Sequence, residues 1–206
     1  MSTLLIVGAG GHGKVVADTA ELTGHWDNIV FADALYPQLT HAGHWPVVIN
    51  SKELSGNIAE YSDFVIAIGD NHTRHKEQNA LSAAGLNPIN IVHPKAIISR
   101  YSRLGKGCVI FAGVVINADA RIGDACIINT AATVDHDCLL GDSVHISPGA
   151  NLAGQVKVGN FSWVGIGASV KQLVNIGQNV ILGAGAVAVN DLADDTTAIG
   201  VPAKKR

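Results

Sequence analysis

From Ile98 onward the chain repeats every six residues, and that period excludes most folds at once. Ile98, Leu104, Ile110, Ile116, Ile122, Ile128, Val134, Leu140, Ile146, Leu152, Val158, Val164, Val170, Ile176, Leu182 and Ala188 stand six apart, and fifteen of the sixteen are Leu, Ile or Val. A second series of the same period, from Ser102 through Cys108, Val114, Ala120 and onward to Leu192, is almost entirely small or β-branched. Gly105, Gly123, Gly141, Gly159 and Gly177 recur every eighteen residues, which is three hexads. No amphipathic helix has this period. A prism-shaped solenoid does, with three short strands per coil, each pointing one large aliphatic and one small residue inward. Small residues are needed near a crowded axis, and the recurrent glycine is expected to permit a tight corner. About 95 residues at this period make roughly five coils, enough to bury a continuous core.

Cys108, Cys126 and Cys138 all occupy the small inward position, so they read as packing residues and not as nucleophiles or ligands. An odd number of cysteines argues against a disulfide framework and fits a reducing cytoplasm. The other bulk properties exclude more than they suggest. A net charge of -3 offers no basic field for nucleic acid or an anionic membrane. Apolar residues at 48% against 15% charged argue against disorder. The first residues lack the basic start and apolar length of a signal peptide. No segment reaches the roughly 20 apolar residues of a membrane span.

Before about residue 92 the grammar is different. Leu4 to Val7, Ile29 to Phe31, Phe64 to Ile68 and Ile89 to Val92 read as buried strands. Val15 to Leu22 and Asn71 to Ala84 read as helices, the second ending at Gly85. Strands alternating with helices predict a small parallel sheet, a Rossmann-like α/β domain over 1–92, followed by the all-β solenoid over 93–206 with a short C-terminal tail. Gly8, Gly10 and Gly13 satisfy G-x-G-x-x-G between a strand and a helix, and Asp33 follows twenty residues after Gly13. This pattern places a phosphate at a helix N-terminus and an acidic residue near a ribose. A domain of about 90 residues is too short for a whole dinucleotide fold, and a solenoid follows where a hydride-transfer domain would be needed. The loop therefore suits the pyrophosphate of a nucleotide sugar better than NAD, with a purely structural turn as the remaining alternative.

From Ile98 onward the hexads contain two histidines, His136 and His145, neither at an inward position. Asp135 and Asp137 flank His136, and either carboxylate would favour its protonated form. Gly154 stands eighteen residues on, one coil directly beyond, where a glycine leaves space beside the imidazole and bares a backbone N–H. A base and an oxyanion donor on adjacent rungs suit an acyl transfer. Zinc sites in such solenoids need three His. The two here stand nine residues apart, half a coil, so no metal is expected. His41 and His44 read as solvated loop residues.

The hexads, the stretch Asn129-Thr130-Ala131-Ala132-Thr133-Val134-Asp135-His136-Asp137-Cys138 and the ending Gly200-Val201-Pro202-Ala203-Lys204 resemble the hexapeptide acyltransferases. With Gly8-Ala9-Gly10-Gly11-His12-Gly13 at the front, the chain resembles the PglD/NeuD-like branch of bacterial sugar acetyltransferases over nearly its whole length. The resemblance implies a left-handed β-helix, a handedness the period alone does not supply because parallel crossovers are usually right-handed. It implies a homotrimer with acetyl-CoA in the groove between neighbouring β-helices, and N-acetylation of a nucleotide-linked amino sugar. The nearest pattern is that of enzymes acting on the 4-amine of UDP-4-amino-4,6-dideoxy-N-acetylglucosamine in the bacillosamine pathway. Relatives act on GDP-perosamine or on sialic acid hydroxyls, so an O-acetyltransferase is the rival enzyme and a non-catalytic trimeric scaffold the rival class. Residue by residue, the resemblance makes His136 the general base and Asp137 its orienting partner. It puts Asn129 near the acceptor amine, and His145, Gly154, Gly183 and Ala184 along the acetyl-CoA site. The nucleotide sugar falls to Gly10, Gly11, His12, Gly13 and Asp33, with Gly69, Asp70, Asn71 and Arg74 as a second nucleotide-facing loop.

Overall fold

A computed structural model describes residues 2–56, 61 and 63–206. The chain divides into two compact units, Met1–Pro94 and Lys95–Arg206.

In the first unit, strands β1 (Thr3–Val7), β2 (Asn28–Ala32), β3 (His41–Ala42), β4 (Trp45–Ile49), β5 (Asp63–Ile66) and β6 (Asn87–Pro88) form one sheet in the order β3-β4-β2-β1-β5-β6. The pairs β1–β2, β1–β5, β2–β4 and β5–β6 are parallel. Leu4, Leu5, Ile6 and Phe64 to Ile66 are wholly buried, as apolar runs in central parallel strands must be. Helix α1 (Gly11–Thr23) ends at Gly24, whose left-handed φ of 66° closes the last turn. Helix α2 (Asn71–Ala83) starts at Asp70, whose carboxylate accepts the Thr73 N–H at 2.8 Å. Two details differ from the sequence reading. The expected strand from Ile89 to Val92 shortens to Ile91–Val92, and just before it Asn87–Pro88 makes a two-residue edge pairing with β5. The hairpin β3–β4, turning through Gly43, went unread because Pro46 interrupts the β pattern; it sits opposite His41 in the two-residue ladder.

The second unit is the parallel β-helix. Its three ladders step by eighteen residues: Ile98-Ile116-Val134-Leu152-Val170-Ala188, Leu104-Ile122-Leu140-Val158-Ile176 and Ile110-Ile128-Ile146-Val164-Leu182. The last coil is two residues short, pairing Leu182 with Ala198. Both inward series are buried through the coils, from Cys108 and Ile110 to Ala186 and Ala188. The thiols of Cys108, Cys126 and Cys138 donate to the Gly123, Gly141 and Ala153 carbonyls, and burial pushes the Cys138 thiol up to about 11.

The recurrent glycines have a different cause from the one the sequence suggested. None of the five takes a left-handed φ; that conformation falls on Asp119, Ala125, Ala131, Asp137 and Ser143, one every six residues. A Cβ on Gly123 would instead lie 2.6 Å from the Gly141 carbonyl carbon, and one on Gly159 the same distance from that of Gly177. The glycines are needed because the coils stack there in backbone contact. Beside them runs a ladder in which Asp124, Asp142 and Asn160 each accept, through Oδ1, the N–H of Lys106, Asp124 and Asp142 one coil earlier.

Candidate active site

His136 stands on a corner of the β-helix, just after the strand Thr133–Val134. Its ring Nδ1 lies 2.8 Å from Asp137 Oδ2, with both side chains about half exposed. The left-handed φ of 59° at Asp137 turns that carboxylate back towards the ring. Hydrogen bonding to Asp137 raises the imidazole pKa above its ordinary value, and the Asp135 and Asp137 charges act in the same direction. A carboxylate at Nδ1 favours the tautomer protonated there and leaves the Nε2 lone pair for chemistry. Asp135 works on the backbone instead. Its Oδ1 accepts the His136 N–H at 2.8 Å and the Asn117 amide at 2.7 Å, bonds that hold its pKa below the usual carboxylate value.

Gly154 lies one coil beyond. A Cβ there would stand 2.5 Å from both His136 Cε1 and Nε2, so the imidazole occupies the space that any other residue would fill. Ala153 takes the place of Asp135 on this rung and has no side-chain acceptor, so nothing corresponds to the bond that covers the His136 N–H. The corner thus presents an imidazole whose Nε2 edge faces a glycine backbone.

Asn129 and His145 belong to the neighbouring face. Asn129 Nδ2 is 3.3 Å from His145 Nε2, and the largely buried His145 ring stacks on Trp163 at 5.0 Å between centroids. Trp163 Nε1 donates to Ser147 Oγ at 2.6 Å. His145, Ser147 and Trp163 open a groove of about 430 Å³ that continues through Pro148, Ile166, Gly183 and Ala184. A Cβ on Gly183 would fall 2.7 Å from Ile199 Cγ2, so the groove wall is closed there by packing. The sequence reading named His145, Gly183 and Ala184 but passed over Trp163, which the ladder register places directly beside His145. The signal was available: an outward Trp eighteen residues from His145, in a chain with 5% aromatics.

The glycine loop in the first unit is built as its spacing requires. A Cβ on Gly8 would lie 2.8 Å from the Ala67 oxygen, and one on Gly13 would collide with the Gly8 oxygen. At Gly10 and Gly11 a Cβ would meet nothing. Helix α1 opens at Gly11 with no side-chain cap and no acidic residue in its first turn, so no carboxylate of that turn opposes an anion at the positive end of its dipole. Burial, reinforced by the Arg74 charge, lowers the His12 pKa to about 4, so this imidazole is neutral.

Two other residues of that set serve the loops themselves. Asp33 Oδ2 accepts the Ala9 N–H at 2.8 Å and Oδ1 the Leu35 N–H at 2.9 Å, so its carboxylate ties the glycine loop to the chain after β2. Arg74 is buried, and its guanidinium donates to the Ile68 and Gly69 carbonyls and to Asn71 Oδ1. It braces the second loop from behind. Asp70 caps α2, and its bonds with Thr73 hold its pKa below the usual carboxylate value. Among the described residues no three His, Cys, Asp or Glu side chains gather as a metal site, and no helix is long and apolar enough to cross a membrane.

Comparison with known proteins gives the following. Residues 3–81 match the PglD N-terminal domain family. A UDP-N-acetylbacillosamine N-acetyltransferase of Bacillus subtilis is 36% identical over 117 residues, 54% of this chain and 52% of that protein. The match thus spans about half the length of that curated relative. Among solved structures, the acetyltransferase domain of PglB from Neisseria gonorrhoeae in complex with acetyl coenzyme A is 40% identical, with a TM-score of 0.95 over 99% of this chain and 98% of that one. A histidine-to-asparagine mutant of perosamine N-acetyltransferase from Caulobacter crescentus, in complex with CoA and GDP-perosamine, is 42% identical. Its TM-score is 0.94 over 100% of this chain and 97% of that one.

Proposed function

The chain belongs to the PglD-like sugar acetyltransferases, and from that membership we propose that it transfers the acetyl group of acetyl-CoA to the 4-amine of a nucleotide-linked amino-dideoxy sugar. UDP-4-amino-4,6-dideoxy-N-acetylglucosamine is the acceptor of choice, as for the Bacillus relative, and the GDP-perosamine bound by the Caulobacter relative shares the same reacting group. The observation that carries this reading is the imidazole held by Asp137 over Gly154.

The chemistry needs little more than that corner. The sugar nitrogen attacks the thioester carbonyl carbon, forming the N–C bond, while His136 Nε2 takes the nitrogen's proton. Asp137 stabilises the imidazolium and keeps Nε2 aimed at the amine. Negative charge developing on the carbonyl oxygen is met by the Gly154 N–H, a preorganised donor of the oxyanion-hole kind. The C–S bond then breaks and CoA leaves as the thiol, taking the proton from His136. Asn129 stands by the acceptor, and the groove of His145, Trp163, Gly183 and Ala184 receives the pantetheine arm. The amides of Gly11, His12 and Gly13 take a phosphate of the nucleotide, with Gly69, Asp70 and Asn71 as the second nucleotide loop. The active unit is a homotrimer.

The test is incubation with acetyl-CoA and a panel of UDP-, GDP- and dTDP-linked amino sugars, following release of free thiol. Turnover with a 4-amino nucleotide sugar is the expected result. Thiol release only with hydroxyl acceptors such as sialic acid, or with none of the panel, would overturn the reading.

A further inference from the structure

The main chain at the His136 corner is held by a pair of side chains on two successive coils. The ladder bonds pass over the His136 N–H: Asp135 N–H donates to Leu152 O on the following coil, and Asp137 N–H to Ala118 O on the preceding one. Among the described residues the one acceptor for the His136 N–H is Asp135 Oδ1, at 2.8 Å. The same oxygen accepts the Asn117 amide at 2.7 Å. Asn117 stands eighteen residues before Asp135, and the ladder that pairs Ile116 with Val134 brings the two side by side. The next residue of that column is Ala153, which has no side-chain donor, so Asn117 is the anchor of the carboxylate. A neutral amide suits the task, because it makes a charge-assisted bond without cancelling the charge. That charge acts on His136 and on the buried Cys138 thiol, as does the charge of Asp137.

The tolerance at this corner is narrow. The imidazole has to meet Asp137 Oδ2 at 2.8 Å through Nδ1 and fill the space that a Cβ on Gly154 would take. A bond from the Asp135 side chain to the very next N–H fixes the peptide from which the imidazole projects. A second bond to another coil keeps that carboxylate from swinging away. Misplacing a reacting group by about 1 Å can cost about 100-fold in rate. We propose that Asn117 is a positioning residue: by anchoring Asp135 from the preceding coil it holds the peptide that carries His136, and so keeps the imidazole aligned with Asp137 and Gly154. This rests on the assignment of His136 as the base made above.

The test is a double-mutant cycle on kcat with Asn117→Ala, Asp135→Ala and the two combined. Asn117→Ala is expected to lower kcat roughly 5- to 20-fold with KM for acetyl-CoA unchanged. In the Asp135→Ala background the same substitution should lower it no further, because Asn117 acts through that carboxylate. The pH midpoint of kcat/KM separates position from charge. It should stay in Asn117→Ala, which retains both carboxylates, and fall in Asp135→Ala, which loses one of the charges that raise the His136 pKa. Full kcat in Asn117→Ala, an equal loss in both backgrounds, or a midpoint moved as far as in Asp135→Ala would overturn the proposal. If His136→Ala turns over like the wild type, the base assignment itself fails. Amide hydrogen exchange in protein isotope-labelled at histidine then decides on the anchor. Exchange of the His136 N–H at least roughly threefold faster in Asn117→Ala supports it, and an unchanged rate overturns it.

Discussion

At the scale of single residues, the reactive corner was legible because its parts are sequence-local or one coil apart. The flanking acids mark His136, and the eighteen-residue step carries the eye to Gly154. Replacing His136 with Ala is expected to lower turnover roughly 10²- to 10⁴-fold, the usual worth of a positioned base. Steady-state turnover near that of the wild type in the folded variant would remove it from the mechanism. Asp137 has a subtler signature. The folded pKa of His136 is raised above 6.5, so the imidazole is protonated and inactive below it, and kcat/KM should climb with pH through a midpoint above 6.5. In Asp137→Asn the carboxylate bond and its charge are both lost, and the midpoint should move down while the plateau falls. A pH profile of kcat/KM with an unmoved midpoint would leave Asp137 no part in tuning the base. What the sequence concealed were roles set by folding. Asp33 and Arg74 have side-chain types suited to a nucleotide, yet Asp33 bonds to Ala9 and Leu35, and Arg74 to Ile68, Gly69 and Asn71. Only the three-dimensional path of two loops reveals that.

At the scale of elements, a solenoid is legible because each strand repeats the environment of the one before it. Its two inward series could therefore be read by counting alone, whereas the two-residue edges of the first unit carry too few side chains to leave a periodic trace. The glycines show where counting stops: their spacing was plain, but whether they served a corner or a close stack depends on backbone geometry. That distinction has a measurable consequence. A methyl at Gly123 would lie 2.6 to 2.7 Å from the Gly141 carbonyl atoms and must push two coils apart. At Gly149, with φ of 66°, a methyl would meet nothing within 4 Å. Gly149→Ala should cost about 1 kcal/mol, the penalty of a left-handed alanine. Gly123→Ala should cost about 3 kcal/mol, at the upper end for overpacking. Thermal or denaturant unfolding of the two variants checks the order, and a Gly123→Ala protein as stable as Gly149→Ala would refute the stacking account.

At the scale of the whole molecule, the question is what completes the site, because the β-helix distributes its chemistry over different sides. His136 stands on the corner after one ladder, while His145, Trp163 and the groove they line belong to another. The exposed side chains Trp163, Ile166 and Ile181 form a face unlike that of the exposed Arg103, Arg121 and Lys157. Small-molecule sites are usually concave and largely enclosed. Flat faces of a single prism do not enclose a coenzyme. In the homotrimer proposed above, one face of each subunit would meet a different face of the next around the threefold axis, and His136 of one subunit would be brought towards His145 of its neighbour with acetyl-CoA between them. Complementation tests this directly. His136→Ala and His145→Ala proteins, each strongly impaired, are unfolded separately, mixed in equal amounts and refolded. A seam is whole only where an intact His136 faces an intact His145 from the adjacent chain, so random mixing should restore about a quarter of the seams. Thiol release should therefore recover towards about a quarter of the wild-type rate in the random mixture, once the presence of mixed trimers is verified, while each variant refolded alone recovers nothing. Full activity in a verified monomer, or no recovery when mixed trimers are demonstrably present, would place the whole site within one chain.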